Sequence, residues 1–122
     1  MLQQIHHATA NSLVLYFAAV GIWGVVAWLR KSGLTPALRG ALIIGGVLAV
    51  VQALLGLALI LFVRPAIEPL HYLYGVTVIL TLPLVAAYIA DKPYSRPLAY
   101  GLGSLFIAGL AIRAILTGTG TG

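Results

Sequence analysis

The sequence contains no cysteine and few charged residues. Of its 122 residues, 61% are hydrophobic and 7% are charged, with two acidic and seven basic side chains. Soluble domains carry about 25% charged residues, so this composition excludes a water-soluble globular domain. The lack of cysteine excludes disulfides, cysteine-ligated zinc, iron–sulfur clusters and covalently attached c-type haem. Any cofactor must be held by histidine, methionine or backbone atoms.

The excess of positive charge is not arranged for binding nucleic acid. The net charge is +5, but lysine and arginine stand singly or in pairs between long apolar runs. Nucleic-acid-binding proteins cluster such residues on one face or along one helix. We therefore expect no DNA or RNA partner.

Four apolar stretches are long enough to cross a membrane, which takes about 20 predominantly apolar residues. They cover residues 8–29, 40–63, 70–90 and 97–116. The pattern predicts an all-α integral membrane protein with four transmembrane helices. The first stretch lacks a basic start and a small-residue cleavage site, so we expect it to remain as a helix rather than act as a signal peptide. Short proline-containing connections predict an antiparallel up-down bundle over residues 1–117, followed by a flexible tail at 118–122.

Small residues are frequent in these stretches. Lipid gives no hydrophobic drive for helix association, so helices in membranes pack closely where small residues allow their backbones to approach. Gly21 and Gly24 in the first helix and Gly101 and Gly103 in the fourth are such positions. They predict close helix packing and carry no functional claim.

The basic residues near the ends of the spans are unevenly divided. One side carries Arg30, Lys31, Arg39, Lys92 and Arg96, whereas the other carries Arg64 and Arg113. Because basic residues are enriched on the cytoplasmic side, we expect both termini outside, in a bacterial or archaeal cytoplasmic membrane. The opposite orientation stays open, because the counts are small.

Ionisable side chains at membrane depth are costly and are usually kept for function. The candidates here are His6, His7, His71 and Arg113. At the helical rise of about 1.5 Å per residue, His7 lies about 33 Å, His71 about 29 Å and Arg113 about 24 Å above the inner end of its own helix. All of them fall in the outer leaflet. Helices 1 and 3 enter from the same face, so their histidines can face each other across the bundle.

Two facing histidines suit haem better than zinc. Zinc prefers four ligands, whereas haem iron takes two axial imidazoles and its flat macrocycle fits between helices. In this hypothesis Arg113 and Arg64 bind the haem propionates, and Gly75, one turn after His71, leaves space for the porphyrin edge. The plainer alternatives are interfacial or structural histidines and an arginine that reaches the headgroups.

Three short motifs resemble one half of the heme A synthase family. They are Gln3-Gln4-Ile5-His6-His7, Gln52 followed by Gly56, and Leu70-His71, and the likeness covers helices 1 to 3, about two thirds of the chain. Each half of that family is a four-helix bundle with a histidine at the top of its first and third helices. The resemblance implies that His6 and His71 are the axial ligands of haem b. Gln3 stands where the family's catalytic half has glutamate, His7 stands where the family has arginine, and the cysteine pair of some members is absent. These departures favour the haem-holding half over the oxidative enzyme.

The sequence leaves two points open. The motif favours His6 as the ligand, but His7 shares a helical face with Asn11, a polar residue that should avoid lipid. Gln52 lies about 17 Å below the outer end of helix 2, near the middle of the membrane. We expect it to donate an interhelical hydrogen bond first, and to contact a quinone or the haem only second.

The leading functional hypothesis is a small cytochrome of b type with bis-histidine haem near the outer leaflet. It would serve electron transfer, or hold haem, as a subunit of a larger respiratory or photosynthetic complex rather than act as an enzyme by itself. One alternative is a half-size enzyme similar to heme A synthase that works as a homodimer. Another is a cofactor-free or chlorophyll-binding accessory subunit. The expected partners are the lipid bilayer and other membrane subunits or a second copy.

Overall fold

The computed structural model describes residues 2–62, 70–89 and 96–118. These residues form four helices and no strand: α1 (Leu2–Leu29), α2 (Pro36–Phe62), α3 (Leu70–Tyr88) and α4 (Arg96–Gly118). By length and composition, all four are able to cross a membrane. The prediction of an all-α protein with four membrane-length helices is confirmed for the described residues. Positions 63, 90 and 119–122, which belong to the predicted spans and tail, lie outside the described residues.

The first helix begins earlier than its apolar stretch. It starts at Leu2, whereas the predicted span starts at Ala8. The prediction followed side-chain polarity, but a helix continues as long as its backbone hydrogen bonds do, and glutamine is a good helix former. His6 and His7 therefore lie within α1 and not in a segment before it.

Local capping defines the connection between α1 and α2. Lys31 has a φ of 57°, its N–H donates to the Trp28 carbonyl, and the Ser32 N–H donates to the Ala27 carbonyl. This is the Schellman pattern that ends many helices. Thr35 then caps α2, because its hydroxyl accepts from the N–H of Leu38 at 3.2 Å, and Pro36 takes the first helical position, where no N–H is needed.

The tightest helix contact lies between α1 and α4. A Cβ atom at Gly24 would lie 2.7 Å from both the Cα of Gly101 and the carbonyl oxygen of Pro97. Glycine is required at this crossing because the two backbones touch each other. Farther along the same pair of helices, a Cβ at Gly21 would meet the side chain of Leu105. The end of α1 thus lies beside the start of α4.

The other contacts place both ends of the molecule. The Tyr16 hydroxyl donates to the Ala41 carbonyl at 2.5 Å, and Gln52 reaches the backbone of His6, so α1 and α2 run in opposite directions. His71 reaches the backbone of Ala114, so the start of α3 lies beside the end of α4. Both histidines therefore lie at the same end of the molecule.

The core is centred on α1, and its packing is loosest between α2 and α3. Phe17 is fully buried and packs with Leu13 and Ile107. Within the described helices, α2 and α3 touch each other least of the four neighbouring pairs. The weak contact leaves a lateral cleft between these two helices.

Candidate cofactor site

His6 of α1 and His71 of α3 form a ring pair. Their ring centres are 6.2 Å apart and their planes meet at 73°, and both residues are half-buried. Metal–imidazole bonds are about 2.0–2.1 Å long and the ring centre lies roughly 1.1 Å farther on, so two imidazoles on opposite sides of one metal have centres about 6.2–6.4 Å apart. The observed separation fits that arrangement. An edge-to-face ring pair without a metal has a similar separation, so the distance alone fits both arrangements.

The ring of His71 is held by a backbone oxygen. Its Nδ1 lies 2.6 Å from the carbonyl oxygen of Ala114 in α4. A carbonyl can only accept a hydrogen bond, so Nδ1 carries the proton and Nε2 keeps a free lone pair. Metal-bound histidines commonly have their second ring nitrogen fixed in this way. Tyr72 adds an edge contact to the same ring, with centres 6.0 Å apart.

Two residues of α2 position His6. The Gln52 side-chain amide donates to the His6 carbonyl oxygen at 2.8 Å. A Cβ at Gly56 would lie 3.2 Å from Cε1 of His6, so the absence of a side chain there lets the imidazole lie against α2. The glutamine and glycine of the second-helix motif thus contact one and the same residue.

Two polar atoms in this cluster lack partners. Nδ1 of His6 and Oε1 of Gln52 are buried and make no hydrogen bond to any of the described residues. Buried polar atoms are nearly always paired, so these two atoms, like the buried Ser104 hydroxyl of α4, need a partner that the described residues do not supply.

The interhelical hydrogen bond expected of Gln52 is present, and its acceptor is the backbone carbonyl of His6. Counting from the helix ends gave Gln52 a position near mid-membrane and the histidines positions in the outer leaflet, whereas Gln52 and His6 lie side by side. The count assumed that all helices end at one level. However, α2 continues for ten residues after Gln52 to Phe62, and α1 has only four residues before His6. The second helix projects beyond the first.

The other residues predicted for the site are His7, Gly75, Arg113 and Arg64. His7 is exposed, as is Asn11 on the same face, so the polarity of Asn11 was a poor guide to the interior. Gly75 faces open space: a Cβ there would meet no described atom within 4 Å. Arg113 is exposed and precedes Ala114, the residue that holds His71. Arg64 lies outside the described residues.

Of the potential metal-ligating side chains, the structure brings together two imidazoles, those of His6 and His71. Across residues 2–62, 70–89 and 96–118, no group of three or more histidine, cysteine or acidic side chains is close enough to hold a metal ion. Both acidic residues of the chain, Glu68 and Asp91, lie outside these ranges. Among the described residues, this end of the molecule therefore offers two imidazoles and no carboxylate.

Comparison with known proteins does not extend this description. No family model, curated protein or solved structure matches the chain.

Proposed function

We propose that this chain is a small membrane protein of cytochrome b type that holds one haem b between His6 and His71. The observation that carries the proposal is the ring pair, in which two half-buried imidazoles from different helices have their centres 6.2 Å apart. Its support is the hydrogen bond from His71 to Ala114, which leaves one ring nitrogen available to a metal.

Each neighbouring residue has a definite part in this hypothesis. Gln52 and Gly56 hold His6 in position, and the open space at Gly75 accommodates the edge of the macrocycle. Arg113, and Arg64 on sequence grounds, bind the propionates through charge-assisted hydrogen bonds. Haem supplies reversible one-electron chemistry when bound. Because two imidazoles fill both axial positions, such a site favours electron transfer over oxygen activation.

The proposed arrangement in the membrane is an up-down bundle with both termini outside. Arg39 and Arg96 line one end of the cleft between α2 and α3, and Arg30 and Lys31 follow the end of α1. The histidine pair lies toward the opposite ends of these helices. Basic residues mark the cytoplasmic side, so the haem would lie near the outer leaflet of a bacterial or archaeal cytoplasmic membrane, where larger respiratory or photosynthetic assemblies offer electron partners.

The resemblance to the heme A synthase family supports holding haem rather than oxidising it. Gln3 occupies the position of the catalytic half's glutamate, and glutamine cannot act as a base or a nucleophile. A half-size enzyme that works as a homodimer remains the second hypothesis on the strength of the shared motifs alone.

Three alanine variants test the proposal: His6→Ala, His71→Ala and the matched control His7→Ala. The purified proteins, stripped of pigment, are titrated with hemin, and helicity is measured by circular dichroism. We expect the first two variants to lose the six-coordinate spectrum while staying helical, and His7→Ala to keep it. Equal haem binding by all three would refute the ligand assignment. A native pigment band that does not respond to reductant would indicate chlorophyll, and an apoprotein that ignores hemin would indicate a cofactor-free subunit.

A pair of glycine variants tests the space beside the histidines. Gly75→Leu and Gly109→Leu both place a side chain where a Cβ meets no described atom within 4 Å, so neither should disturb the fold. Only Gly75 lies one turn from His71. We expect Gly75→Leu to block hemin binding and Gly109→Leu to leave it unchanged, and the same affinity in both would show that Gly75 does not border the cofactor.

A further inference from the structure

The side-chain amide of Gln52 is oriented by its hydrogen bond to α1. Its Nε2 lies 2.8 Å from the carbonyl oxygen of His6. A carbonyl oxygen only accepts hydrogen bonds, so the amide atom that faces it must be the nitrogen, and Oε1 is the other end of the group. This oxygen is a buried acceptor with no donor among the described residues.

The ring of His6 presents the complementary group. In the haem hypothesis, on which this inference rests, Nε2 of His6 is the ligating atom, because a flat macrocycle against Nδ1 would collide with the Cβ of the same histidine. Nδ1 then carries the proton. It is a buried donor with no acceptor among the described residues.

The two histidines of the pair differ at this nitrogen. Nδ1 of His71 lies 2.6 Å from the carbonyl oxygen of Ala114, whereas no described residue accepts a hydrogen bond from Nδ1 of His6. Metal-bound histidines almost always donate their second ring N–H to a carboxylate, a backbone carbonyl or a water. The proposed site therefore requires an acceptor at Nδ1 of His6.

One water molecule satisfies both buried atoms. Buried waters typically make about three hydrogen bonds to polar groups that otherwise lack partners. A water accepts from the Nδ1–H of His6 and donates to Oε1 of Gln52, whereas a carboxylate has no hydrogen to give to Oε1. Because both atoms are buried, a bulky ligand such as a quinone would not reach them.

We infer that Gln52 is a positioning residue of the haem site, and that its Oε1 holds the Nδ1–H of His6 through one buried water. An imidazole whose N–H donates a hydrogen bond is a more basic ligand, and such hydrogen bonds around the ligands help to set the potential of a haem. A more electron-rich ligand favours ferric over ferrous iron. Gln52 therefore lowers the reduction potential of the haem.

The reduction potential of the purified holoprotein tests the inference. Gln52→Leu keeps a side chain of similar size and removes its polar atoms. We expect the preference for ferric over ferrous haem to fall about tenfold, which raises the one-electron potential by about 59 mV. Tyr16→Phe is the matched control, because it also removes an α1–α2 hydrogen bond, the one to Ala41, at a position about 15 Å along α1 from His6. Its potential should equal that of the unaltered protein.

Glu68→Gln tests the competing acceptor. Glu68 precedes α3 in the sequence and lies outside the described residues. We expect this variant to keep the potential of the unaltered protein. A raised potential in Glu68→Gln, with none in Gln52→Leu, would assign the Nδ1–H of His6 to a carboxylate and overturn the inference.

Infrared difference spectra between the oxidised and the reduced protein detect the water itself. We expect an O–H stretching band that shifts in ¹⁸O-labelled water, present in the unaltered protein and in Tyr16→Phe and lost in Gln52→Leu. The lack of such a band in the unaltered holoprotein would overturn the inference, even if Gln52→Leu bound no haem. An unaltered protein that bound no haem would instead refute the proposed function, and the inference with it, so the two failures are distinguishable.

Discussion

Replacing Gly56 with alanine should weaken haem binding and, at the same time, stabilise α2, the helix that contains Gly56. In Gly56→Ala the new Cβ would lie 3.2 Å from Cε1 of His6. Comfortable carbon contacts are about 3.5–4.0 Å, so the imidazole must move by about 0.3–0.8 Å. Ligating groups tolerate displacements of only about 0.5 Å.

The expected effects on haem affinity and on helix stability have opposite signs. Changes to residues that orient a metal ligand commonly cost about 10- to 100-fold in affinity, and we expect about tenfold weaker hemin binding for Gly56→Ala, or about 1.4 kcal/mol. Alanine is the better helix former by about 0.8–1.0 kcal/mol in a helix interior, so the apoprotein should not lose stability. Gly56→Leu would fill the place of the His6 ring, and we expect it to bind no haem.

The assay is a hemin titration followed by absorbance, with thermal unfolding of each apoprotein recorded by circular dichroism. Gly109→Ala and Gly109→Leu are the matched controls, because a Cβ at Gly109 would meet no atom of the described residues within 4 Å. If both Gly56 variants bound hemin as tightly as the Gly109 variants, the inferred position of His6 against α2 would not matter for the cofactor. The reasoning would then be refuted.

Two further predictions concern the fold. Gly24→Ala should destabilise the protein by about 1–3 kcal/mol, the usual cost of overpacking, because the new methyl would lie 2.7 Å from the Cα of Gly101; a melting temperature no lower than that of Gly40→Ala would contradict this. Lys31→Gly should stabilise the protein by about 0.5–1 kcal/mol. Lys31 has a φ of 57°, and this left-handed conformation costs roughly 1–2 kcal/mol in a residue with a Cβ. Glycine removes that cost, but it also gives the unfolded chain more conformational freedom, which cancels part of the gain. Thermal unfolding in detergent measures both changes, and an unchanged midpoint for Lys31→Gly would argue against the Schellman geometry.

The sequence was sufficient to predict the four helices but not how far each helix extends relative to its neighbours. Four apolar runs predict four helices because each run is long enough to cross a membrane. The projection of α2 beyond α1 has no signal in either helix alone, and this is why counting residues gave Gln52 and His6 different depths. The cleft between α2 and α3 was not predicted either, since hydrophobic residues that line a cleft look like those that face lipid.

The candidate site was partly predictable. Depth counting placed a helix-1 histidine and His71 at one level, because both helices enter from the same face. It could not choose between His6 and His7, and the argument from Asn11 pointed to a face that is exposed. The partner of His71 could not have been found at all, because the Ala114 carbonyl is a backbone atom and carries no residue-type signal.

The measurement that tests the central claim most directly is the absorption spectrum of the unaltered protein in mild detergent, oxidised and then reduced with dithionite, with pyridine extraction to type the haem. Haem ligated by His6 and His71 predicts a sharp reduced α band of a six-coordinate centre and close to one haem b per chain. A preparation that is colourless and stays colourless after hemin is added would contradict it.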